Sequence, residues 1–356
     1  MIFKLPLILL RLYITSFIIW IFQTTILPQT LTKLTNVSIK TQTFQHYYPY
    51  TSLVNTPKNS NSINIITNSN ITYIIAHPDD EVMFFAPSII ELKKPKYNNH
   101  INLICFSKGN YIKSMDEIRQ SELIQSSRIL GIDQVSILDY QDGMNETWQL
   151  NDIVQSLHEN LSPTSSGSDT NSNNKPSVLI TFDDQGVSNH PNHISLFHGT
   201  KKYIQELRRK SENKNKTRIK TTTTTTTTTI NYIDIDSSSS TKFYVLKSLN
   251  FFEKYSFTIL GNIEILFNFI SLLIKKFINI NINVSFFSNQ IIKSKFDNNN
   301  NNLQLQNLND IRFYSDLNML SLSYAAMAYG HFSQMVWFRY AWLLLSRYLT
   351  YNHLIE

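Results

Sequence analysis

Residues 71–86 read ITYIIAHPDDEVMFFA, and this stretch decides the fold class and the position of the chemistry. An apolar run of strand length is followed at once by a histidine and three acids, and then by a second apolar run. Asp79, Asp80 and Glu81 would suit the first turn of a helix, where carboxylates cap free N–H groups and oppose the helix dipole. Capping needs only one or two acids and no histidine. This stretch alone therefore leaves a capping and a catalytic interpretation equally open.

The rest of the chain alternates between strand-like and helix-like patterns. Short apolar runs of strand length cover 71–76, 101–106, 134–139, 177–182 and 242–247. The first four are almost continuously apolar, as expected for strands buried on both faces. Helical patterns lie between them at 81–94, 116–130, 148–160 and 191–208, and Gly131 is placed to end the second helix. The alternation predicts an α/β fold, a Rossmann-like layered domain with a mainly parallel sheet and right-handed crossovers.

Each unusual polar cluster follows one of the predicted strands. HPDDE follows the first strand, SKGNY the second, DYQDGMNE the third and DDQGVSNHPNH the fourth. Ligand sites in such sheets form beyond the carboxyl ends of the strands, so we expect the clusters to gather at one edge. Helix capping gives no reason for this gathering. The catalytic interpretation of Asp79 and Asp80 is therefore favoured.

A second motif lies in the loop after the fourth strand. His190 and His193 are spaced i, i+3 at a predicted helix start, which turns both rings the same way and suits a metal or an acid/base pair. An H-x-x-H motif alone is weak evidence, but here it shares a sheet edge with the histidine–acid cluster. Two imidazoles and one carboxylate with an open fourth position are typical of hydrolytic zinc sites. A second carboxylate beside them can act as general base.

The motifs together resemble a known family. The matching segments are AHPDDEVMFFAP, CFSKGNY, RQSEL, TFDDQGVSNHPNH and SQMVWFRYAWLLLSRY. They resemble the N-acetylglucosaminyl-phosphatidylinositol de-N-acetylases of GPI-anchor biosynthesis, within the PIG-L/LmbE-like superfamily of zinc deacetylases. The resemblance covers roughly residues 70–355, interrupted by polar tracts. It implies hydrolysis of the N-acetyl group of a membrane glycolipid to give glucosaminyl-phosphatidylinositol and acetate. The implied cofactor is Zn²⁺, and another divalent metal would suit the same ligands.

The resemblance also assigns roles to matching positions. His77, Asp80 and His193 are the implied metal ligands. Asp79 is the implied general base, and His190 the group that polarises the acetyl carbonyl and steadies the oxyanion. Glu81 is then a helix-start residue or a support for the ligands.

Other polar residues receive weaker assignments. Arg119, in RQSEL, could bind the inositol phosphate, since a guanidinium suits phosphate; an exposed i,i+3 pair with Glu122 is the alternative. We expect Asp183 to orient one of the metal histidines. No motif surrounds His158 and His198, which we interpret as structural, and His331 is assigned no role.

The N-terminal residues 5–27 have the length and composition of a membrane span, with Arg11 as their only charge. A signal peptide is the alternative, but its apolar core would be shorter and would end in small residues. We expect an uncleaved anchor over 1–27, a polar stalk over 28–69 and the catalytic domain over 70–356. Low-complexity insertions are predicted near 161–175, 209–241 and 294–306; a binding role for them is the less favoured alternative.

The composition limits the possible partners and the possible disulfides. With 42% apolar residues in 356, the chain can bury a sizeable core. Its formal charge of +6 comes from scattered residues, so we expect no nucleic-acid partner, and the sequence identifies no protein partner. Cys105 is the single cysteine, so no intrachain disulfide can form; it lies in an apolar run and is expected in the core.

The resemblance implies a single-pass protein of the endoplasmic reticulum membrane with its domain on the cytoplasmic side. Basic residues flank the span on both sides, so charge does not fix the orientation. Use of the sequons at Asn36 or Asn145 would instead indicate a luminal domain. The segment 332–349 is expected to be a packed core helix, or alternatively an interfacial helix at the bilayer.

Two rival functions remain at this stage. One is an enzyme that acts on a different acetylated sugar. The other is a non-catalytic membrane scaffold that keeps the fold, which the intact ligand set opposes.

Overall fold

The computed structural model describes residues 4–27, 66–109, 115–161, 177–222, 241–278 and 310–356. The strands are β1 Asn70–Ile75, β2 His100–Ser107, β3 Gln134–Tyr140, β4 Ser177–Phe182, β5 Lys242–Leu246, β6 Asp310–Tyr314 and β7 Tyr351–Ile355. The helices are α1 Lys4–Ile21, α2 Asp80–Met83, α3 Ala86–Leu92, α4 Asp116–Leu130, α5 Leu150–Leu161, α6 Pro191–Thr222, α7 Phe251–Lys254, α8 Ile259–Ile278, α9 Leu317–Ala325 and α10 Trp337–Leu345.

The described strands form one seven-stranded sheet in the order β3-β2-β1-β4-β5-β7-β6. Strands β1 to β5 are parallel, and β7 pairs antiparallel with both β5 and β6. The α/β, Rossmann-like fold with a mainly parallel sheet is therefore confirmed. Because β1 and β4 are neighbours, the order reverses between them, and this is the point at which ligands bind in such sheets.

The five predicted strands match β1 to β5, because each is apolar along most of its length. Strands β1, β2 and β4 are almost fully buried, whereas β3, expected to be buried on both faces, lies at the sheet edge and is only partly buried. Gly131 ends α4 with φ 79°, in the left-handed region that suits glycine. Strands β6 and β7 were not predicted from the sequence. Their antiparallel pairing extends the sheet beyond the parallel part.

Two predicted helices differ from the structure. The helix expected over 81–94 is broken between α2 and α3 at Phe84 and Phe85. The break is held from the last strand: the side-chain amide of Asn352 donates to the Phe84 carbonyl at 2.8 Å, and the amide of Ser88 donates to Asn352 Oδ1 at 3.1 Å. The C-terminal segment 332–349 is not one helix but α10 between two short 3₁₀ turns.

The polar tracts fall mostly outside the described residues. Residues 162–176, 223–240 and 279–309 lie there, as do residues 28–65 of the stalk predicted over 28–69, so their predicted character stays a prediction. One difference is visible. Helix α6 continues to Thr222 and enters the segment predicted as a low-complexity insertion.

Helix α1 continues into a π-helical turn, Phe22–Ile26, and the two together are apolar and long enough to cross a membrane over Pro6–Ile26. In the described part of the chain this is the one such span. Its second half packs on the domain. Trp20 and Thr24 are buried, and Thr25 Oγ1 accepts a hydrogen bond from the amide of Leu317 at the start of α9. The first half exposes leucine and isoleucine side chains from Leu7 to Leu12.

Candidate active site

The two sequence motifs meet at the reversal point of the sheet. His77, Asp79 and Asp80 follow β1, and His190 and His193 follow β4, the strand paired with β1. The imidazole rings of His77 and His190 are 4.7 Å apart, and those of His190 and His193 are 4.8 Å apart. The five predicted metal and catalytic residues therefore lie together; four of them are buried and His190 is partly exposed.

The turn after β1 is organised around the carboxylate of Asp80. Its Oδ2 accepts hydrogen bonds from the amides of Ala76 and His77 at 3.0 and 2.8 Å. Asp79 precedes α2 with φ 130°, a conformation that L-residues rarely adopt. Its amide donates to Oε2 of Glu81 at 3.1 Å. Local backbone contacts thus fix both acids relative to the end of β1.

Asp80 lies between two imidazoles. Its Oδ2 is 3.5 Å from Nδ1 of His77 and 3.3 Å from Nε2 of His193. Ligands held 2.0–2.1 Å from one tetrahedral ion are about 3.3 Å apart, so each imidazole lies at the separation from Asp80 that a shared zinc site needs. The rings of His77, His190 and His193 also offer nitrogens within 4.8 Å of one another.

His193 is held in the orientation that a metal ligand requires. Its Nδ1–H donates to the carbonyl of Gly186 at 3.1 Å, and its ring stacks on Phe182 at 3.8 Å. These contacts leave Nε2 buried without a hydrogen-bond donor. A buried ring nitrogen that makes no hydrogen bond and faces a carboxylate is suited to bind a cation. The residues present therefore fit a metal ion.

His77 is held by polar groups on its other side. Its Nε2 lies 3.1 Å from Oδ1 of Asp142 and 3.0 Å from Oδ1 of Asn192, which turns Nδ1 toward Asp80. Burial alone would lower the pKa of His77, but Asp142 and Asp80 outweigh it and raise this pKa to about 10. The pocket therefore attracts positive charge, and a bound metal would displace a proton from this ring.

His190 has the opposite electrostatic environment. Burial, together with the neighbouring rings of His193 and His77, lowers its pKa to about 4, so the ring is neutral at pH 7. Its Nδ1 accepts a hydrogen bond from the amide of Asn192 at 3.3 Å. A neutral imidazole with an accepting Nδ1 carries its proton on Nε2. His190 can therefore donate a hydrogen bond from Nε2.

Asp79 forms an ion pair with an arginine of α10. The Nη2 atom of Arg339 lies 2.5 Å from Oδ2 of Asp79, and its Nη1 contacts the sulfur of Met83. Asp79 is buried, so this guanidinium satisfies a carboxylate with little access to water. The contact connects the C-terminal helix to the acid predicted as general base.

Glu81 is part of a second buried pair. Its Oε1 lies 2.5 Å from Nε2 of His331 and accepts a hydrogen bond from Ser126 at 2.6 Å. Burial alone would lower the pKa of His331, but Glu81 outweighs it and the pKa is raised. Because Glu81 also holds the amide of Asp79, the pair supports the turn that carries both acids.

Comparisons with known proteins identify the family. The profile described as PIG-L: GlcNAc-PI de-N-acetylase matches residues 72–204. A probable N-acetylglucosaminyl-phosphatidylinositol de-N-acetylase from Dictyostelium discoideum is 33% identical over 307 residues, covering 84% of this chain and 97% of that protein. The Saccharomyces cerevisiae de-N-acetylase is 31% identical over 294 residues and 79% of each chain. The chain belongs to the PIG-L family. Both relatives are named as de-N-acetylases, which hydrolyse an amide bond, and this chain is likewise an amidase.

A likeness to solved structures is weaker. The A40926 pseudoaglycone deacetylase Dbv21 aligns over 81% of this chain and 97% of its own, at 11% identity and a TM-score of 0.41. At this TM-score the similarity does not support an assignment of fold or function. The PIG-L assignment depends on the sequence relatives, and the parallel sheet on the structure itself.

Arg119 makes other contacts than those expected from the PIG-L motif. Its guanidinium donates to the carbonyls of Pro78 at 2.9 Å and Gly109 at 3.1 Å. It does not form the i,i+3 pair: Glu122 instead accepts hydrogen bonds from the amide and hydroxyl of Ser333. A Cβ at Gly109, which has φ 76°, would lie 2.4 Å from the Arg119 guanidinium and would displace it. Arg119 thus connects the loops after β1 and β2.

Asp183 lies elsewhere than predicted. It accepts hydrogen bonds from the amide of Ser248 at 2.6 Å and from its hydroxyl at 2.5 Å, and so connects the ends of β4 and β5 rather than orienting a histidine. His158 is half-buried beside Tyr203, and His198 is exposed on α6. Cys105 is buried in the core, as expected.

Four residues that contact the candidate site were not predicted from the sequence: Asn192, Asp142, His331 and Arg339. Asn192 lies inside the quoted HPNH segment, so its position beside two histidines was a usable signal. Asp142 lies in the polar loop after the third strand. This loop was predicted to lie at the same sheet edge as the site, but no residue in it was singled out. His331 and Arg339 reach the site from more than 200 positions away, and no local pattern indicates this.

Proposed function

We propose that this PIG-L protein removes the acetyl group from N-acetylglucosaminyl-phosphatidylinositol, giving glucosaminyl-phosphatidylinositol and acetate. The observation that carries the proposal is the meeting of Asp80, His77 and His193 at ligand separations, beside Asp79 and His190, at the reversal point of the sheet. The relatives named for this activity supply the substrate. Intact ligand separations oppose a non-catalytic scaffold.

His77, Asp80 and His193 would hold a zinc ion, through Nδ1, a carboxylate oxygen and Nε2 respectively. When bound, zinc supplies Lewis-acid chemistry that activates a water molecule and polarises a carbonyl. Asp142 and Asn192 support this arrangement because they hold the far side of the His77 ring.

The remaining chemistry falls to two residues of the chain. Asp79 takes a proton from the attacking water and returns it to the leaving amine, so the proton count balances over the reaction. Arg339 holds this carboxylate in place through Oδ2. His190, neutral with its proton on Nε2, donates a hydrogen bond to the oxygen that becomes negative when the acetyl carbonyl is attacked.

The location follows from the same substrate. Helix α1 would anchor the chain in the endoplasmic reticulum membrane, with the domain on the cytoplasmic side, where it meets a glycolipid. The products are a deacetylated lipid that stays in the bilayer and acetate that leaves in water. Arg119 would contribute to binding of the inositol phosphate only if its guanidinium exchanged its present carbonyl partners.

The test is an assay of the purified full chain in mixed micelles. Substrates are the acetylated glycolipid, the same lipid without acetate and free N-acetylglucosamine, with release of acetate as the readout. We expect release from the acetylated glycolipid only. The Asp80→Ala variant, which lacks one ligand, is the matched control and should release none. Release from the free sugar but not from the lipid would contradict the proposed substrate.

A further inference from the structure

Helices α7, α8 and α10 present large apolar side chains to solvent. Phe252 of α7 is 84% exposed and Trp337 of α10 is 81% exposed, which is unusual for side chains of this size. The other exposed members are Phe251, Tyr255, Ile259, Ile263, Leu266, Phe267, Ile270, Phe338, Tyr340, Leu344 and Leu345. We call this set the apolar platform. Patches of this kind mark a partner or a membrane.

The platform is continuous across α7 and α10. The rings of Phe251 and Tyr255 lie 5.1 Å apart. Tyr255 in turn lines a cavity of about 290 Å³ together with Phe338 and Leu345 of α10. The two helices therefore form one surface rather than separate exposed residues.

Helix α1 joins the same surface. The hydroxyl of Tyr13 donates to the carbonyl of Leu344 at 2.6 Å, at the end of α10. The Tyr13 ring stacks at 5.6 Å on Phe257, which lies between α7 and α8. Ser16 hydrogen-bonds to Thr258 just before α8. The candidate membrane span thus packs on the helices that carry the platform.

The length of α1 decides how deep this contact lies. The part ahead of Tyr13, Lys4–Leu12, is nine residues, or about 14 Å at 1.5 Å per residue. The hydrocarbon core of a bilayer is about 30 Å thick. A span over Pro6–Ile26 therefore places its second half, and the helices packed on it, at or below the membrane surface. The side chains that these helices expose are apolar, as expected for helices that contact lipid at or below the membrane surface.

We propose that the apolar platform inserts into the lipid surface of the membrane that α1 enters, so the catalytic domain is held in the bilayer interface and not suspended above it. The partner is the headgroup and upper acyl region of a phospholipid bilayer. Aromatic side chains prefer this depth, and interfacial helices bury their apolar face ~5–10 Å into it. The proposal rests on α1 entering the bilayer, which is part of the proposed function.

The platform also ends at the candidate active site. Arg339 lines the cavity between α7 and α10, and the same guanidinium binds Asp79. On the next turn of α10, Trp342 packs edge-on against Phe84, whose ring also contacts His193. Insertion of α10 would therefore bring the mouth of the site to the level at which a lipid headgroup lies.

The test measures depth in the full chain after reconstitution into phosphatidylcholine vesicles. Single cysteines are introduced by Phe252→Cys and Trp337→Cys, labelled with an environment-sensitive fluorophore and quenched with lipids carrying a shallow nitroxide. The natural chain is the labelling control, because its one cysteine, Cys105, is buried. Both changes are at exposed side chains, so the fold is expected to survive.

Two reference positions calibrate the result. Leu9→Cys reports the exposed first half of α1, and Gln134→Cys reports the edge strand farthest in the sheet from β6. We expect quenching at 252 and 337 to approach that at position 9 and to exceed that at position 134 severalfold. Quenching at position 9 alone would overturn the platform while leaving the anchor intact. Quenching at none of the positions would overturn both the membrane anchor and the insertion of the platform. Fluorescence that instead changes with protein concentration would indicate that a second copy of the chain covers the platform, which would also overturn the proposal.

Discussion

Arg339 binds Asp79 across 260 positions of sequence, with Nη2 of the arginine 2.5 Å from Oδ2 of the carboxylate. The contact fixes an acid in the motif after β1 from a helix near the end of the described chain. Arg339 therefore orients the proposed general base, and the same carboxylate is paired with a positive charge. Catalytic efficiency should therefore depend on α10 as well as on the motif itself.

The two adjacent acids can be separated by their different effects on metal. Asp79→Asn should retain the metal, because Asp79 is outside the proposed ligand set, yet lose about 10²–10⁴ in kcat, the usual contribution of a general base. Asp80→Asn should weaken metal binding and activity together. Metal content and kcat are measured on both variants. If Asp79→Asn loses metal while Asp80→Asn stays loaded, the two roles are exchanged.

Arg339→Gln should lower kcat by about 10²-fold with the metal retained, since misplacing a catalytic group by about 1 Å costs this much. Arg339→Lys keeps the charge but not the planar fork, and should recover part of the loss. Arg128→Gln, at an exposed site on α4, is the matched control and should change nothing. A normal kcat in Arg339→Gln would mean that the ion pair does not position the base.

The buried pair of His331 and Glu81 should contribute to stability in a pH-dependent way. His331→Gln leaves a buried carboxylate without its cation and should destabilise the fold by ~3–5 kcal/mol. The folded pKa of His331 is raised above the ordinary ~6.5, so its contribution is fully present below about pH 6.5 and is lost as pH rises through the folded pKa.

Thermal unfolding of wild type and His331→Gln at several pH values tests this. The difference in Tm should be largest near pH ~6 and should shrink at higher pH. His198→Gln, at an exposed histidine, should show no such trend. A difference that grows with pH would show that His331 is neutral in the folded protein.

Arg119→Lys should distinguish a positioning role from phosphate binding. A lysine cannot hold the carbonyls of both Pro78 and Gly109, so a positioning role predicts a lower Tm and kcat with little change in KM. Binding of the inositol phosphate predicts a higher KM at unchanged Tm. Steady-state kinetics and thermal unfolding on the same preparation decide between them.

Orientation in the membrane can be tested on intact microsomes. A tag placed after Glu356 should be digested by added protease, since the domain is proposed to face the cytoplasm. Asn145 is exposed in the structure, so a luminal domain would offer this sequon for glycosylation. The absence of a glycan at Asn145 is therefore informative. A protected tag, or a glycosidase-sensitive shift that Asn145→Gln abolishes, would reverse the assignment.

The parts of the fold that were predictable are those with a local physical signal. Strands β1 to β5 lie in the parallel part of the sheet, so their runs are largely apolar and stand out in the sequence. Strand β7 carries Asn352 and His353 at buried positions, which breaks any apolar run. Strand β6 has an alternation, with Ile311 and Phe313 buried around Arg312, that could have been read as a strand.

The same distinction applies to the site. His77, Asp79 and Asp80 are predictable because the three reactive side chains lie within four consecutive positions directly after a strand. The partners that orient them are not, because an arginine of α10 or a histidine after α9 becomes a neighbour only through packing. The wrong prediction for Asp183 has the same origin. A carboxylate next to the H-x-x-H loop in sequence turns to Ser248 in space.

The place of β7 between β5 and β6 has a consequence for biosynthesis. Among the described elements β7 is the last to leave the ribosome, yet β6 has no other partner in the sheet. Asn352 of this strand also closes the backbone break behind the catalytic turn, at Phe84 and Ser88. During synthesis the edge of β5 therefore stays exposed and unpaired until β7 has been made, although α1 has been synthesised long before. Catalytic competence should therefore appear only after β7 has been synthesised.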